Sequence, residues 1–131
     1  MAENLEILKE LAKTSWDGEK DNHEIEQFYL KYPNLNIHDG YRAQYIRYEM
    51  MLAEGFKPVG FKLGGTSLAK LKQVASELTS GSYVQKKAPT VGRLMDYMQI
   101  RDGEDLILDN YVHPKLEAEL AFVLDKELYG P

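Results

Sequence analysis

The chain reads HPKLEAELAFVL over residues 113–124, and this stretch decides how the end of the chain is expected to fold. Side chains alternate between the two faces of a β-strand. One face then carries the apolar side chains of Leu116, Ala118, Leu120, Phe122 and Leu124. Glu117 and Glu119 share the other face, about 6.5 Å apart, and Ala121 and Val123 continue it. The pattern predicts a strand that becomes buried on both faces, with two carboxylates at its edge that need a cation nearby.

The composition restricts the classes of function. A length of 131 residues predicts at most one domain. Acidic residues outnumber basic ones 21 to 16, which argues against nucleic acid as a partner. Cysteine is absent from the sequence, which excludes disulfides and thiolate nucleophiles. The first ten residues lack an apolar signal region, and no apolar run reaches the length of a membrane span. We therefore expect a cytoplasmic protein that binds neither nucleic acid nor a membrane.

The first 55 residues show helical spacing of apolar side chains. Helices are predicted over Ala2–Lys13, over about Asn22–Tyr32, and between Asp39 and Gly55. A turn is predicted at Asp17-Gly18, and Asp39 is the predicted N-cap of the third helix, which Gly55 ends. The stripe on that third helix is interpreted as core packing; it consists of Tyr41, Tyr45, Tyr48 and Leu52.

After Gly55 the pattern changes from helical to alternating. Val59, Phe61 and Leu63 predict a short strand. Further elements are predicted in this order: a helix over Leu68–Leu78 capped by Thr66-Ser67, a short helix over Pro89–Met98, and a short buried strand over Leu106–Leu108. Helices followed by about three short strands define an α+β fold. Because a strand buried on both faces needs neighbours on both, the last strand is expected to begin a larger sheet.

Two groups of residues are candidates for chemistry. Lys62 lies in GFKLGGTS, residues 60–67, where glycine backbone leaves room beside its ammonium. The turn Gly64-Gly65-Thr66-Ser67 offers backbone N–H groups and two hydroxyls to an anion. Composition alone nevertheless favours a surface lysine before an ordinary glycine turn and capped helix. Glu117 and Glu119 could bind a hard cation such as Mg²⁺, or could be an ordinary exposed pair. His113 next to Pro114 is typical of a loop residue rather than a ligand.

In this order, the two segments resemble a known family. VGFKLGGTS at 59–67 followed by HPKLEAELAFVL at 113–124 is similar to the 2-keto-4-pentenoate hydratase and 4-oxalocrotonate decarboxylase family, of the fumarylacetoacetate hydrolase-like superfamily. DGYRAQ at 39–44 and VGRLMDYM at 91–98 extend the resemblance. It implies a mixed β-roll, of which residues 1–131 form a single incomplete domain. Residues 1–55 would be its helical N-terminal part and residues 56–131 the start of the roll.

The resemblance also implies roles for the candidate residues. Glu117 and Glu119 would be two ligands of Mg²⁺ or Mn²⁺, which binds the oxygens of a small 2-oxo or 2-hydroxy-dienoate acid of aromatic catabolism and stabilises its enolate. Lys62 corresponds to the active-site lysine of the family. Gly64, Gly65, Thr66 and Ser67 would bind the substrate, with the two hydroxyls on its carboxylate. Decarboxylation and hydration both remain open.

Members of the family are about twice as long as this chain, and the resemblance implies a third acidic ligand past residue 131. The isolated chain is therefore expected to have little or no activity. Three hypotheses follow. The chain is part of a lyase that works as a homo-oligomer or with a related full-length chain, or it is a truncated, inactive homologue that serves as the partner subunit of a full-length relative. The third is a degenerate fragment without activity, whose exposed apolar strand edges would make it oligomeric or prone to aggregation.

Overall fold

The computed structural model describes residues 2–67, 69 and 89–130. Its elements, in chain order, are α1 (Ala2–Lys20), α2 (Phe28–Lys31), α3 (Ile37–Ala53), β1 (Pro58–Gly64) and β2 (Thr90–Met95). Single 3₁₀ turns follow at Asp96–Met98 and Leu108–Asn110. This arrangement confirms an α+β composition of helices and a small antiparallel sheet. The helix predicted over Leu68–Leu78 lies outside the described residues. Within the described ranges, no helix is long and apolar enough to cross a membrane.

Helix α1 is longer than predicted because its apolar stripe continues past Lys13. Trp16 lies one turn beyond that point and is only 2% exposed. The predicted turn at Asp17-Gly18 is wrong, since both residues lie within the helix. Glycine suits this position because a Cβ on Gly18 would lie 2.6 Å from Cγ2 of Ile25. The chain therefore folds back closely over the last turn of α1.

Helix α2 is shorter than predicted, and α3 is capped by a different residue. Asn22 has a φ of 50° in the turn that reverses the chain after α1, and the predicted helix over Asn22–Tyr32 forms only at Phe28–Lys31. In α3 the N-cap is Asn36 rather than Asp39. The Asn36 side chain accepts hydrogen bonds from the backbone N–H groups of His38 and Asp39 at 2.8 and 3.2 Å, and the Asp39 carboxylate accepts one from the Asn36 N–H. This reciprocal pairing is a capping box.

The aromatic stripe of α3 belongs to the core only in part, since Tyr48 alone of its four residues packs against the buried residues around Trp16. The buried residues of α3 are instead Asp39, Ala43 and Met51. Tyr41 and Tyr45 are largely exposed at the edge of the stripe, and the Tyr41 hydroxyl accepts a hydrogen bond from the Val91 N–H at 3.1 Å. The stripe therefore faces the sheet and contributes polar and cation–π contacts to it.

The core consists of two clusters along the contact between α1 and α3. Leu8, Leu11 and Ala43 form the first cluster. Trp16, Met51 and Met95 form the second, which joins the helices to the end of β2. The Trp16 indole packs edge-on against Phe56, with ring centroids 5.7 Å apart, and its N–H donates to Glu54 at 2.7 Å.

The sheet is a two-stranded antiparallel pair of β1 and β2. Strand β1 was predicted, whereas residues 90–95 form a strand where the sequence analysis predicted a helix over Pro89–Met98. Lys62 pairs with Gly92 and Phe61 with Arg93 across the two strands. The predicted helix is wrong because pairing with β1 satisfies the backbone of this segment, which begins with the β-branched Thr90 and Val91 and contains a glycine.

Residues 99–130 are exposed and contain a single 3₁₀ turn and no strand among the described residues. The strands predicted over Leu106–Leu108 and over Leu116–Leu124 are therefore not formed in this structure. Val123, expected to be buried, is 98% exposed. A strand needs a hydrogen-bonded neighbour, and the described part of the chain supplies none to this segment.

Candidate active site

The hairpin of β1 and β2 has two different faces. Phe61 and Arg93 lie on the face towards α3, where the Arg93 guanidinium is 4.2 Å from the centroid of the Tyr48 ring. The opposite face, here called the outer face, carries alternate residues of each strand: Gly60, Lys62 and Gly64 of β1 and Thr90, Gly92 and Leu94 of β2. Lys62 is therefore the one charged residue on an outer face that is rich in glycine.

Lys62 lies beside the two glutamates that the sequence analysis singled out near the end of the chain. Its ammonium donates a hydrogen bond to Oε1 of Glu119 at 2.8 Å, across a separation of 57 residues. Oε2 of Glu117 lies 3.9 Å from the same nitrogen. The carboxylates of Glu117 and Glu119 therefore share one cation. The three side chains form a compact, partly exposed cluster of charge.

The carboxylates hold Lys62 in its charged form. The hydrogen bond to Glu119 is the main reason that the pKa of the Lys62 ammonium is raised, and the negative charges of Glu119 and Glu117 add to this effect. Solvent reduces the strength of the interaction, because the Lys62 side chain is 48% exposed. Lys62 is therefore a cation at neutral pH and is suited to binding or stabilising negative charge.

The predicted anion-binding turn follows β1 directly. Gly65 has a φ of 69°, a left-handed conformation that favours glycine at this position. The Thr90 hydroxyl donates to the carbonyl oxygen of Gly64 at 3.1 Å and so fixes the start of the turn to β2. Thr66 and Ser67 are exposed beyond it. The helix that they were predicted to cap falls in the part of the chain left undescribed, so their role stays a prediction.

The donor set of Glu117 and Glu119 fits a hard divalent cation. Both side chains provide carboxylate oxygens, and both already converge on one positive charge, that of Lys62. Mg²⁺ commonly takes one or two carboxylates and completes its shell with water or substrate oxygens. In the described residues, no group of three or more acidic or histidine side chains could hold a metal. The Nε2 atom of His113 lies 2.6 Å from Oε1 of Glu24.

Sequence reasoning missed Gly92, which is the direct cross-strand partner of Lys62. The apolar residues Val91, Leu94, Met95 and Met98 matched a helical period and concealed the strand. The signal that favoured a strand was local: Pro89 is followed by two β-branched residues and then a glycine, all poor helix formers.

Comparison with known proteins gives relatives of one kind. The chain is 37% identical to 2-oxo-hept-4-ene-1,7-dioate hydratase of Escherichia coli over 92% of its own length and 42% of the relative. It is 33% identical to 4-oxalocrotonate decarboxylase of Pseudomonas putida over 98% of its length and 45% of that protein. A solved structure of 4-oxalocrotonate decarboxylase from Pseudomonas putida G7, complexed with calcium and acetate, superposes with a TM-score of 0.60 at 29% identity. That match covers 70% of this chain and 32% of the other. No protein-family model matches the sequence.

These relatives define a class of enzymes whose names describe hydration or decarboxylation of unsaturated 2-oxo acids. The chain belongs to the 2-keto-4-pentenoate hydratase and 4-oxalocrotonate decarboxylase family. It spans less than half the length of the curated relatives that it matches.

Proposed function

We propose that this chain carries part of the active site of a divalent-metal-dependent lyase that acts on 2-oxo or 2-hydroxy-dienoate acids of aromatic catabolism. The main support for the proposal is the contact of the Lys62 ammonium with the carboxylates of Glu117 and Glu119, which lie more than fifty residues away in the sequence. The similarity to hydratases and decarboxylases of such acids supports the same class of substrate. In this proposal, the two-stranded sheet is the start of a mixed β-roll.

Each side chain has a separate task in the proposed site. Lys62, whose ammonium stays charged at neutral pH, binds the negative charge of the acid and stabilises the charge that develops on its oxygens. Gly64, Gly65, Thr66 and Ser67 offer hydrogen bonds to the carboxylate of the acid. Glu117 and Glu119 hold Mg²⁺ or Mn²⁺, which acts as a Lewis acid when bound.

Metal binding by the chain tests this proposal directly. Titration with Mn²⁺, followed by electron paramagnetic resonance, is expected to show binding that weakens about tenfold or more in Glu117→Gln and in Glu119→Gln. Asp125→Asn is the matched control, because Asp125 lies in the same exposed segment outside the cluster. Equal affinity in the wild type and in both Gln variants would remove the two glutamates from the metal site.

Turnover by the chain alone forms the second arm of this experiment. With Mg²⁺ and 2-hydroxymuconate-type acids we expect little or no turnover, because the relatives use more than twice this length of chain. Robust turnover would show that residues 1–131 contain a complete site, and would contradict the expectation that the remaining ligands come from elsewhere.

A second candidate function is that of an inactive partner subunit for a full-length relative. Exposure of the apolar segment 116–124 favours it, since Leu116, Phe122 and Val123 are nearly free of contacts within the described chain. We expect the tagged chain to retain a full-length family member in a pull-down, and to retain less after Phe122→Asp. Recovery of the relative at the level of untagged resin would rule out this function.

A further inference from the structure

Nothing in the described residues explains why two positions on the outer face are glycines. Gly60 and Gly92 lie inside strands, where glycine weakens the strand and adds no side-chain packing. Neither is among the glycines with positive φ, which are Gly55, Gly65, Gly103 and Gly130. Other residues could therefore adopt the same backbone at both positions. The conformation of the chain does not require glycine there.

Close packing does not require these glycines either. A Cβ built on Gly60 or on Gly92 meets no atom of the described residues within 4 Å. Gly64 differs, because a Cβ there would lie 2.7 Å from the Thr90 hydroxyl oxygen, which explains its lack of a side chain. At Gly60 and Gly92, the missing side chains leave space above the backbone that no described residue fills.

The open space lies next to the Lys62 cluster. Gly92 is the register partner of Lys62, and Gly60 precedes Lys62 by two residues on the same face. A side chain at either position would stand roughly 5 to 7 Å from the start of the Lys62 side chain. Leu94, opposite Gly60, borders the space with an apolar group. The backbone of Gly60 and Gly92 is therefore exposed between the side chains of Lys62 and Leu94.

We propose that Gly60 and Gly92 are the specificity-determining residues of the Lys62 site. Because they have no side chains, their backbone contacts the flat carbon chain of a conjugated acid. This inference rests on the function proposed above. A peptide group is planar, and so is a conjugated dienoate, whose carbons carry no hydrogens above or below the plane. A saturated chain of the same length has hydrogens above and below its carbon atoms, so it packs less closely against the backbone of the two glycines. Lys62 binds the charged end of the acid while its carbon chain lies over the glycines.

An NMR titration with three small acids, with Mg²⁺ present, tests binding of the charged end and binding of the carbon chain separately. Oxalate tests the charged end alone, trans,trans-muconate tests a flat six-carbon diacid, and adipate is its saturated counterpart. In the wild type we expect muconate to bind about fivefold or more tightly than adipate. In Gly92→Val, muconate binding is expected to weaken about tenfold or more, and oxalate binding to change less than about twofold.

Neither variant is expected to lower the stability of the fold, so a loss of binding can be assigned to the site itself. Valine favours strands and has open space at residue 92, so Gly92→Val is expected to melt at or above the wild-type temperature. Gly40→Ala is the matched control, because Gly40 also faces open space but lies on α3, and it should bind all three acids as the wild type does.

Equal muconate affinity in Gly92→Val and in the wild type would overturn the inference, while oxalate binding would leave the proposed function standing. Equal losses of oxalate and muconate would also overturn it, since they would mean that valine disturbs Lys62 itself. A wild type that binds no oxalate would overturn both the inference and the proposed function.

Discussion

Replacing Trp16 with alanine is expected to lower the free energy of unfolding by about 3–5 kcal/mol, the range for large buried aromatic residues. The indole fills the second core cluster between α1, α3 and the end of β2. Its ring contacts Phe56 and Tyr97, and its N–H donates to Glu54. Truncation opens a cavity and leaves the Glu54 carboxylate without this donor. Urea unfolding followed by far-ultraviolet circular dichroism measures the loss.

Tyr129→Ala provides the control, because this aromatic ring is exposed near the end of the chain. It should change the free energy of unfolding by less than about 0.5 kcal/mol. A Trp16→Ala loss below about 1 kcal/mol would contradict the packing of this cluster.

The second large effect is a contrast between two leucines. Leu8 is 0% exposed in the first core cluster, whereas Leu120 is 88% exposed in the segment that follows Glu119. Leu8→Ala is expected to destabilise the protein by about 2–5 kcal/mol, since it removes buried methyl groups and leaves a cavity. Leu120→Ala is expected to have an effect within about 0.5 kcal/mol. The same chemical change at both positions makes the comparison a measure of burial.

Chemical denaturation of both variants at several protein concentrations tests this contrast. A Leu120→Ala loss that approaches the Leu8→Ala loss would show that residues 116–124 are packed in solution. If that loss also grew with protein concentration, the packing would be between molecules.

The sequence predicted the elements whose partners are nearby in the chain. Helix α1, helix α3 and strand β1 were recognised because their apolar periods repeat within a few turns or residues. The predictions were wrong where contacts between residues far apart in the sequence determine the secondary structure. Trp16 extends α1 through its burial against α3, and residues 90–95 become a strand because β1 pairs with them. Neither contact can be deduced from local spacing.

The residues of the candidate site could likewise be predicted only in part. Lys62, Glu117 and Glu119 could be named from residue type and spacing, and the family resemblance linked them, but only the structure gives their distances. Gly92 could not be named, because its importance lies in being opposite Lys62 in a register that the sequence does not state. The strand predicted at 116–124 has a clear apolar pattern, but it is not formed, because no strand of the described residues pairs with this segment.

The position of Trp16 also determines what optical spectroscopy will report. It is the only tryptophan in the sequence, and its indole is enclosed by groups that all precede residue 99. Its emission should therefore be blue-shifted in the native protein and should move to longer wavelength only when α1 and α3 separate. Changes at Glu117 and Glu119 will be nearly invisible to this fluorophore, so a tryptophan introduced near residue 122 would give the second half of the chain its own signal.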